Sequence, residues 1–139
     1  MRSKLSRDEI LDLVRRYVEL VSKTVKLYAA ILFGSYARGD YGPWSDADLL
    51  LIGEFNAPYL ERLRMLIDIS KDIPIAIEPH PYTVDEALSM LEKGSPTIVD
   101  ALEEGLIILK REKFERILER YREMKRRGKL KRSRTSISF

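Results

Sequence analysis

The sequence predicts a single α/β domain built on about four strands flanked by helices. Strand-length apolar runs alternate with segments of helical periodicity, and helix start and stop signals punctuate the junctions between them. A chain of 139 residues with 45% hydrophobic content suits one sizeable core.

Taken in order, Ser6-Arg7-Asp8-Glu9 is a capping box, with Ser6 and Glu9 satisfying orphan amides at a helix start. Ile10, Leu11, Val14, Tyr17, Val18 and Val21 then follow helical spacing. Residues 26–33 form an apolar run ending at Gly34, and residues 46–52 a second run ending at Gly53; both are expected as buried strands. Between them, residues 35–39 leave room only for a short helix, and Asp40-Tyr41-Gly42-Pro43-Trp44-Ser45 is rich in turn formers.

Asn56 and Pro58 suit the cap and first turn of a helix through Leu60, Leu63, Leu66 and Ile67, stopping near Asp72. Residues 73–78 read as a third strand, which Pro79 and Pro81 prevent from running on as a central strand. Thr83 with Glu86 makes a second capping box, Gly94 ends that helix, and Ser95-Pro96 opens another that closes at Gly105. Residues 106–109 are a short fourth strand. Residues 111–127 form a charged last helix whose stripe of Phe114, Ile117, Leu118 and Tyr121 packs internally or, in a homo-oligomer, against a second copy.

Composition narrows the chemistry. No apolar run approaches the roughly 20 residues of a membrane span, and the start of the chain has no secretory apolar stretch, so a cytoplasmic protein is expected. The absence of cysteine removes disulfides, thiolate catalysis and cysteine-based zinc sites, leaving oxygen donors as the main metal ligands. The net charge of +3 is unevenly placed, because the Lys and Arg residues of 125–134 outweigh the whole excess. Residues 1–124 are therefore expected as a mildly acidic body. Residues 125–139 are expected as a flexible basic arm, either solvated or attracting nucleic acid or an acidic partner.

The informative stretch is Gly34-Ser35, ten residues, then Asp46-Ala47-Asp48. Side chains alternate along a strand, so Asp46 and Asp48 point the same way with Cα atoms roughly 6.6 Å apart, while Leu49 and Leu51 point into a core. Two such carboxylates repel unless hydrated or neutralised by a cation, and oxygen donors suit Mg2+ or Mn2+. If the third strand neighbours the second, Glu78 completes a three-carboxylate cluster able to hold two ions about 3.5–4 Å apart, an arrangement suited to in-line attack at phosphorus. Gly34 permits close backbone approach, and the amides and hydroxyl at Ser35 can donate to phosphate oxygens, with Arg38 adding a cation.

These residues carry a family likeness. Phe33-Gly34-Ser35-Tyr36-Ala37-Arg38-Gly39 through Ser45-Asp46-Ala47-Asp48-Leu49 resembles the polymerase beta-like nucleotidyltransferase superfamily, specifically its minimal nucleotidyltransferase branch, with the likeness running over residues 26–109. The resemblance implies a mixed sheet flanked by helices and magnesium-dependent transfer from a triphosphate such as ATP. It also implies catalytic and metal-binding roles for Asp46, Asp48 and Glu78. Members of that branch are often antitoxins paired with HEPN-domain toxins, and some transfer AMP onto a toxin tyrosine, so a HEPN-type toxin partner is expected by analogy. The other readings are transfer to RNA or a small hydroxylated compound, and neutralisation of a partner by binding alone.

Three further residues carry two readings each. Trp44 either stacks on a base or acceptor, or packs its turn against the body. His80, the only histidine, either orients Glu78 or meets a phosphate from the same strand face, or sits solvated in a Pro-His-Pro turn. Tyr36 and Tyr41 line a nucleotide cleft, or Tyr36 packs its helix.

Overall fold

Leu27–Phe33 (β1) and Ala47–Gly53 (β2) lie side by side at the centre of the fold in the computed structural model, which describes residues 5–43 and 45–130. Around them come Arg7–Ser22 (α1), Ser35–Arg38 (α2), Tyr59–Ile69 (α3) with a 3₁₀ turn at Ser70–Asp72, and Ile77–Tyr82 (β3). Val84–Glu92 (α4), Pro96–Glu104 (α5), Leu106–Lys110 (β4) and Phe114–Arg126 (α6) complete the order. The sheet runs β3-β2-β1-β4; β1 is antiparallel to β2 and β4, and β2 is parallel to β3. This is the mixed sheet flanked by helices that the sequence predicts.

Every residue of β1 is buried because helices cover both faces of the sheet. On one face Leu27, Ala30 and Leu32 meet Leu49 and Leu51 of β2, the apolar side of α1 and Leu66 of α3. On the other, Ala29, Ile31 and Phe33 meet Leu50 and Ile52, then α4, α5 and α6. Tyr28 joins this second cluster with Ala29 because the register slips between Leu27 and Ala29, and a bulge sends two successive side chains to one face. Gly105 lets α5 close down on β1, since a Cβ there would collide with the Ala101 carbonyl and the Ile31 side chain. Full burial of a Leu or Ile stabilises by roughly 1.5–3 kcal/mol, so Leu50→Ala in the middle of this sandwich is a fold-threatening change.

Both capping boxes form reciprocally, at Ser6/Glu9 and at Thr83/Glu86. Asn56 does not cap α3; Pro58 takes that position with no side-chain bond. The apolar stripe of α6 packs internally, with Phe114, Ile117, Tyr121 and Met124 buried in the second cluster. That helix continues to Arg126, and Leu130 still touches the body. Trp44 and residues 131–139, the bulk of the basic arm, lie outside the described residues. Among the described residues no helix is long and apolar enough to cross a membrane.

The third strand needs the largest correction. It begins at Ile77 rather than at 73 and runs through Pro79 and Pro81 to Tyr82. The reason is its place at the sheet edge. Only alternate N–H groups of an edge strand face a neighbour, so two prolines of the same parity can leave the ladder to β2 unbroken. The outer flank is covered as well. Arg62 of α3, buried at 7% exposure, donates to the Ala57 carbonyl (2.7 Å) and the Pro81 carbonyl (3.3 Å). It also pairs in two-pronged fashion with Glu86 of α4 (2.7 and 3.2 Å), strapping the two helical layers together across β3.

Candidate functional site

The site is assembled where β1 ends and β2 begins. Gly34 follows Phe33 with φ +78° and ψ −152°, a conformation that L side chains rarely adopt. Its carbonyl accepts from the amides of Ala37 (3.1 Å) and Arg38 (3.0 Å), which turns the chain at once into α2 with Ser35 as first residue. A Cβ on Gly34 would stand 2.5 Å from Asp48 Oδ2. The glycine is thus needed twice, for its backbone angle and for the carboxylate pressed against it.

Asp48 sits on β2, opposite Phe33 on one side and Glu78 on the other. Parallel pairing of Asp48 with Glu78 and of Leu50 with His80 puts the three polar side chains on one face at the open end of the second core. One ligand atom from each of Asp48, Glu78 and His80 lies within 4.8 Å of the others. Nε2 of His80 is 3.2 Å from Asp48 Oδ1, and the imidazole rests on Phe33 with ring centroids 5.2 Å apart. Hydrogen bonding to Asp48, then partial burial, then the Asp48 charge hold the Glu78 carboxyl above its ordinary range. Like charges paired directly across a sheet destabilise it unless a proton or cation intervenes, so this donor set fits a divalent ion.

Asp46 falls outside the tight cluster. It precedes β2 rather than belonging to it and is exposed, although its charge contributes to raising Glu78. The loop that delivers it is tied down: Tyr36 Oη donates to the Ser45 carbonyl (3.0 Å), and Gly42 and Ser45 bond to each other through Gly42 N to Ser45 Oγ (2.9 Å) and Ser45 N to Gly42 O (3.1 Å). Tyr41 stacks beside Tyr36 at 4.6 Å and donates to the Leu5 carbonyl (2.7 Å), tethering the loop to the start of α1. Ser35 is half-buried at the opening of α2. Arg38 closes that helix with its guanidinium between Asp40 and Glu104, both at 3.2 Å, and these bonds raise its pKa further.

Sequence reasoning thus named two members of the three-residue cluster and set the third, His80, on the strand face of Glu78 without counting it among the metal ligands. Ending the strand at Glu78 kept a solvated Pro-His-Pro turn open as the other reading of His80. The period-2 spacing of 78 and 80 was the available signal, and the parallel register makes it decisive.

The comparisons with known proteins point one way. Residues 14–132 match the family model described as "Nucleotidyltransferase domain". Two Methanocaldococcus jannaschii proteins bearing the name "Putative protein adenylyltransferase" are similar to this chain. One is 38% identical over 64 residues, 45% of this chain and 64% of that protein; the other is 57% identical over 30 residues, 22% and 30% respectively. The chain therefore spans less than two thirds of the length of these curated relatives. Among solved structures, that of a "putative nucleotidyltransferase" of Sulfolobus solfataricus superposes with a TM-score of 0.54 at 19% identity, covering 80% of this chain and 94% of the other. A toxin-antitoxin solved with AMP-PNP superposes at 0.52 and 15% identity, covering 90% and 94%. At such identities the superpositions establish a shared fold.

Proposed function

The chain belongs to the nucleotidyltransferase domain family, and on that premise we propose that it transfers a nucleoside monophosphate, AMP from ATP, onto a hydroxyl of a partner protein. The observation that carries this reading is the opposition of Asp48 and Glu78 across two parallel strands, with Gly34 pressed on Asp48 at the entrance to α2. Divalent ions, Mg2+ or Mn2+ and two of them in the full arrangement, would neutralise charge on the triphosphate and departing pyrophosphate and lower the pKa of the acceptor hydroxyl.

The chain's own groups divide the remaining work. Asp48 and Glu78 supply the central donors, and Asp46, exposed on its tethered loop, supplies a carboxylate from the solvent side. Ser35 Oγ and the first amides of α2 donate to phosphate oxygens, since the opening N–H groups of a helix lack internal acceptors. Arg38 serves the same phosphates by exchanging Asp40 or Glu104 for them. The acceptor oxygen attacks the α-phosphorus in line, the bond from that phosphorus to the bridging oxygen breaks, pyrophosphate leaves, and the hydroxyl proton passes to a Glu78 oxygen or to water.

A tyrosine of a HEPN-type toxin is the acceptor we favour, which makes the protein an antitoxin. The names of the M. jannaschii relatives support a protein acceptor, and the toxin-antitoxin with AMP-PNP supports the pairing by analogy of fold. Incubation with α-labelled ATP, a divalent ion and the protein encoded beside this one tests the reading. Label on a partner tyrosine, lost with Asp48→Asn, is expected; a stable unlabelled complex would replace transfer with occlusion.

A further inference from the structure

We propose that His80 is itself a metal ligand, so that Asp48, Glu78 and His80 form a mixed oxygen and nitrogen site selecting Mn2+ or a later first-row ion over Mg2+. The inference rests on the ion-binding part of the proposed function and on nothing about its acceptor.

The backbone makes the juxtaposition. His80 lies two residues beyond Glu78 on β3, so both side chains emerge on the face that carries Asp48. Two neighbouring ligands about 2.1–2.2 Å from an octahedral ion are about 3 Å apart. The 3.2 Å between His80 Nε2 and Asp48 Oδ1 already meets that spacing, and Glu78 brings the third donor within 4.8 Å.

Gly34 backs Asp48 Oδ2, and the Phe33 ring flanks the imidazole, which is 19% exposed. Mg2+ dehydrates reluctantly and takes oxygen donors, whereas Mn2+, Co2+ and Zn2+ accept imidazole. An imidazole 3.2 Å from one carboxylate, with a second carboxylate in the same cluster, therefore favours the latter ions. The Nε2–Asp48 contact requires a hydrogen on Nε2 when Asp48 is ionised; coordination through Nε2 would move that hydrogen to Nδ1.

The chain has one histidine, so any histidine nitrogen at a bound ion belongs to residue 80. The test is Mn2+ binding to the tag-free, metal-stripped full chain, with neither nucleotide nor acceptor, followed by electron paramagnetic resonance with spin-echo modulation. The wild type should show nitrogen modulation from a directly bound imidazole. His80→Asn should abolish it and weaken Mn2+ binding at least tenfold, while Mg2+ affinity changes less than about twofold and circular dichroism is unchanged. Mn2+ bound without nitrogen modulation in the wild type would overturn the assignment, as would absence of Mn2+ binding or equal loss of both ions. Because no transfer is measured, nitrogen modulation in a protein that labels no acceptor retires the transfer reading and leaves the ligand assignment standing.

Discussion

Gly34 and Asp48 are fitted to one another: a Cβ at residue 34 would come 2.5 Å from the Asp48 carboxylate, at a backbone φ of +78°. Substitution of Gly34 by alanine therefore meets two penalties, a strained dihedral costing roughly 1–3 kcal/mol and a forced displacement of Asp48. Gly34→Ala should lower stability by about that amount in urea unfolding and reduce transfer at least a hundredfold in single-turnover assays. A near-normal rate would separate the close approach from the chemistry.

Asp48 also faces Glu78, and the raised pKa of Glu78 registers how poorly two carboxyl groups share that position without a cation. Removing one charge should help the ion-free fold while destroying the site. Asp48→Asn is expected to be inactive yet more stable than wild type by about 0.5–1 kcal/mol in chelator, a rise of a few degrees in Tm. Adding Mn2+ should raise the wild-type Tm and leave the variant's almost unmoved, because ligand stabilisation needs differential binding to the folded state. Thermal scans with and without the ion measure both.

These relationships were unequally legible in the sequence. Local signals translated directly: the two capping boxes, the strand-length apolar runs and the alternation that sends Leu49 and Leu51 to the core all rest on interactions within a few residues. Much of what depended on partners distant in sequence was misread or left conditional, as the pairing of Asp48 with Glu78 was. Pro79 and Pro81 argued for a strand end, because nothing local says that the segment lies at a sheet edge where they are tolerated. The helix of residues 59–69 was read from Leu60, Leu63, Leu66 and Ile67, yet Leu60 is 76% exposed and Arg62 is buried in its place. A charged residue turns inward there because Glu86, 24 positions away, and the Ala57 and Pro81 carbonyls meet it at the edge strand. Asp46 and Asp48 were found by spacing, but which of them joins Glu78 was set by the parallel register.

Tyr36 links the phosphate side of the site to the loop carrying Asp46, through its hydroxyl bond to the Ser45 carbonyl at 3.0 Å. Phenylalanine keeps the buried ring and its contact with Tyr41 and removes the hydroxyl that bonds to the Ser45 carbonyl. Tyr36→Phe should cost only about 0.5–1.5 kcal/mol of stability. Its effect on transfer should be larger than that cost suggests, a three- to tenfold fall in kcat with KM for ATP nearly unchanged, because Asp46 loses its fixed approach. Steady-state kinetics over a range of ATP and Mn2+ concentrations would distinguish this from a general weakening, in which KM rises as well.

The Arg62–Glu86 strap gives stability a specific dependence on acid. The Arg62 hydrogen bond, followed in size by the opposing effect of burial, leaves Glu86 below the ordinary carboxylate range. A carboxyl depressed in the folded state contributes stability that is fully present above its unfolded pKa and is lost as pH falls through the folded value. Wild-type stability should therefore decline below about pH 4.5, the region where unfolded glutamate begins to bind protons. Arg62→Met removes the partner but keeps the apolar stem, leaving Glu86 to water, since its side chain is 44% exposed. That variant should lose about 1–2 kcal/mol at pH 7, from the lost hydrogen bonds to Glu86 and to the Ala57 and Pro81 carbonyls, with a shallower decline toward acid. Glu86→Gln should flatten the acid limb in the same way at a smaller cost, because Arg62 keeps both carbonyl contacts. Urea unfolding of the three proteins from pH 7 to pH 3 measures the slopes, and parallel acid limbs for wild type and Glu86→Gln would remove Glu86 from the explanation.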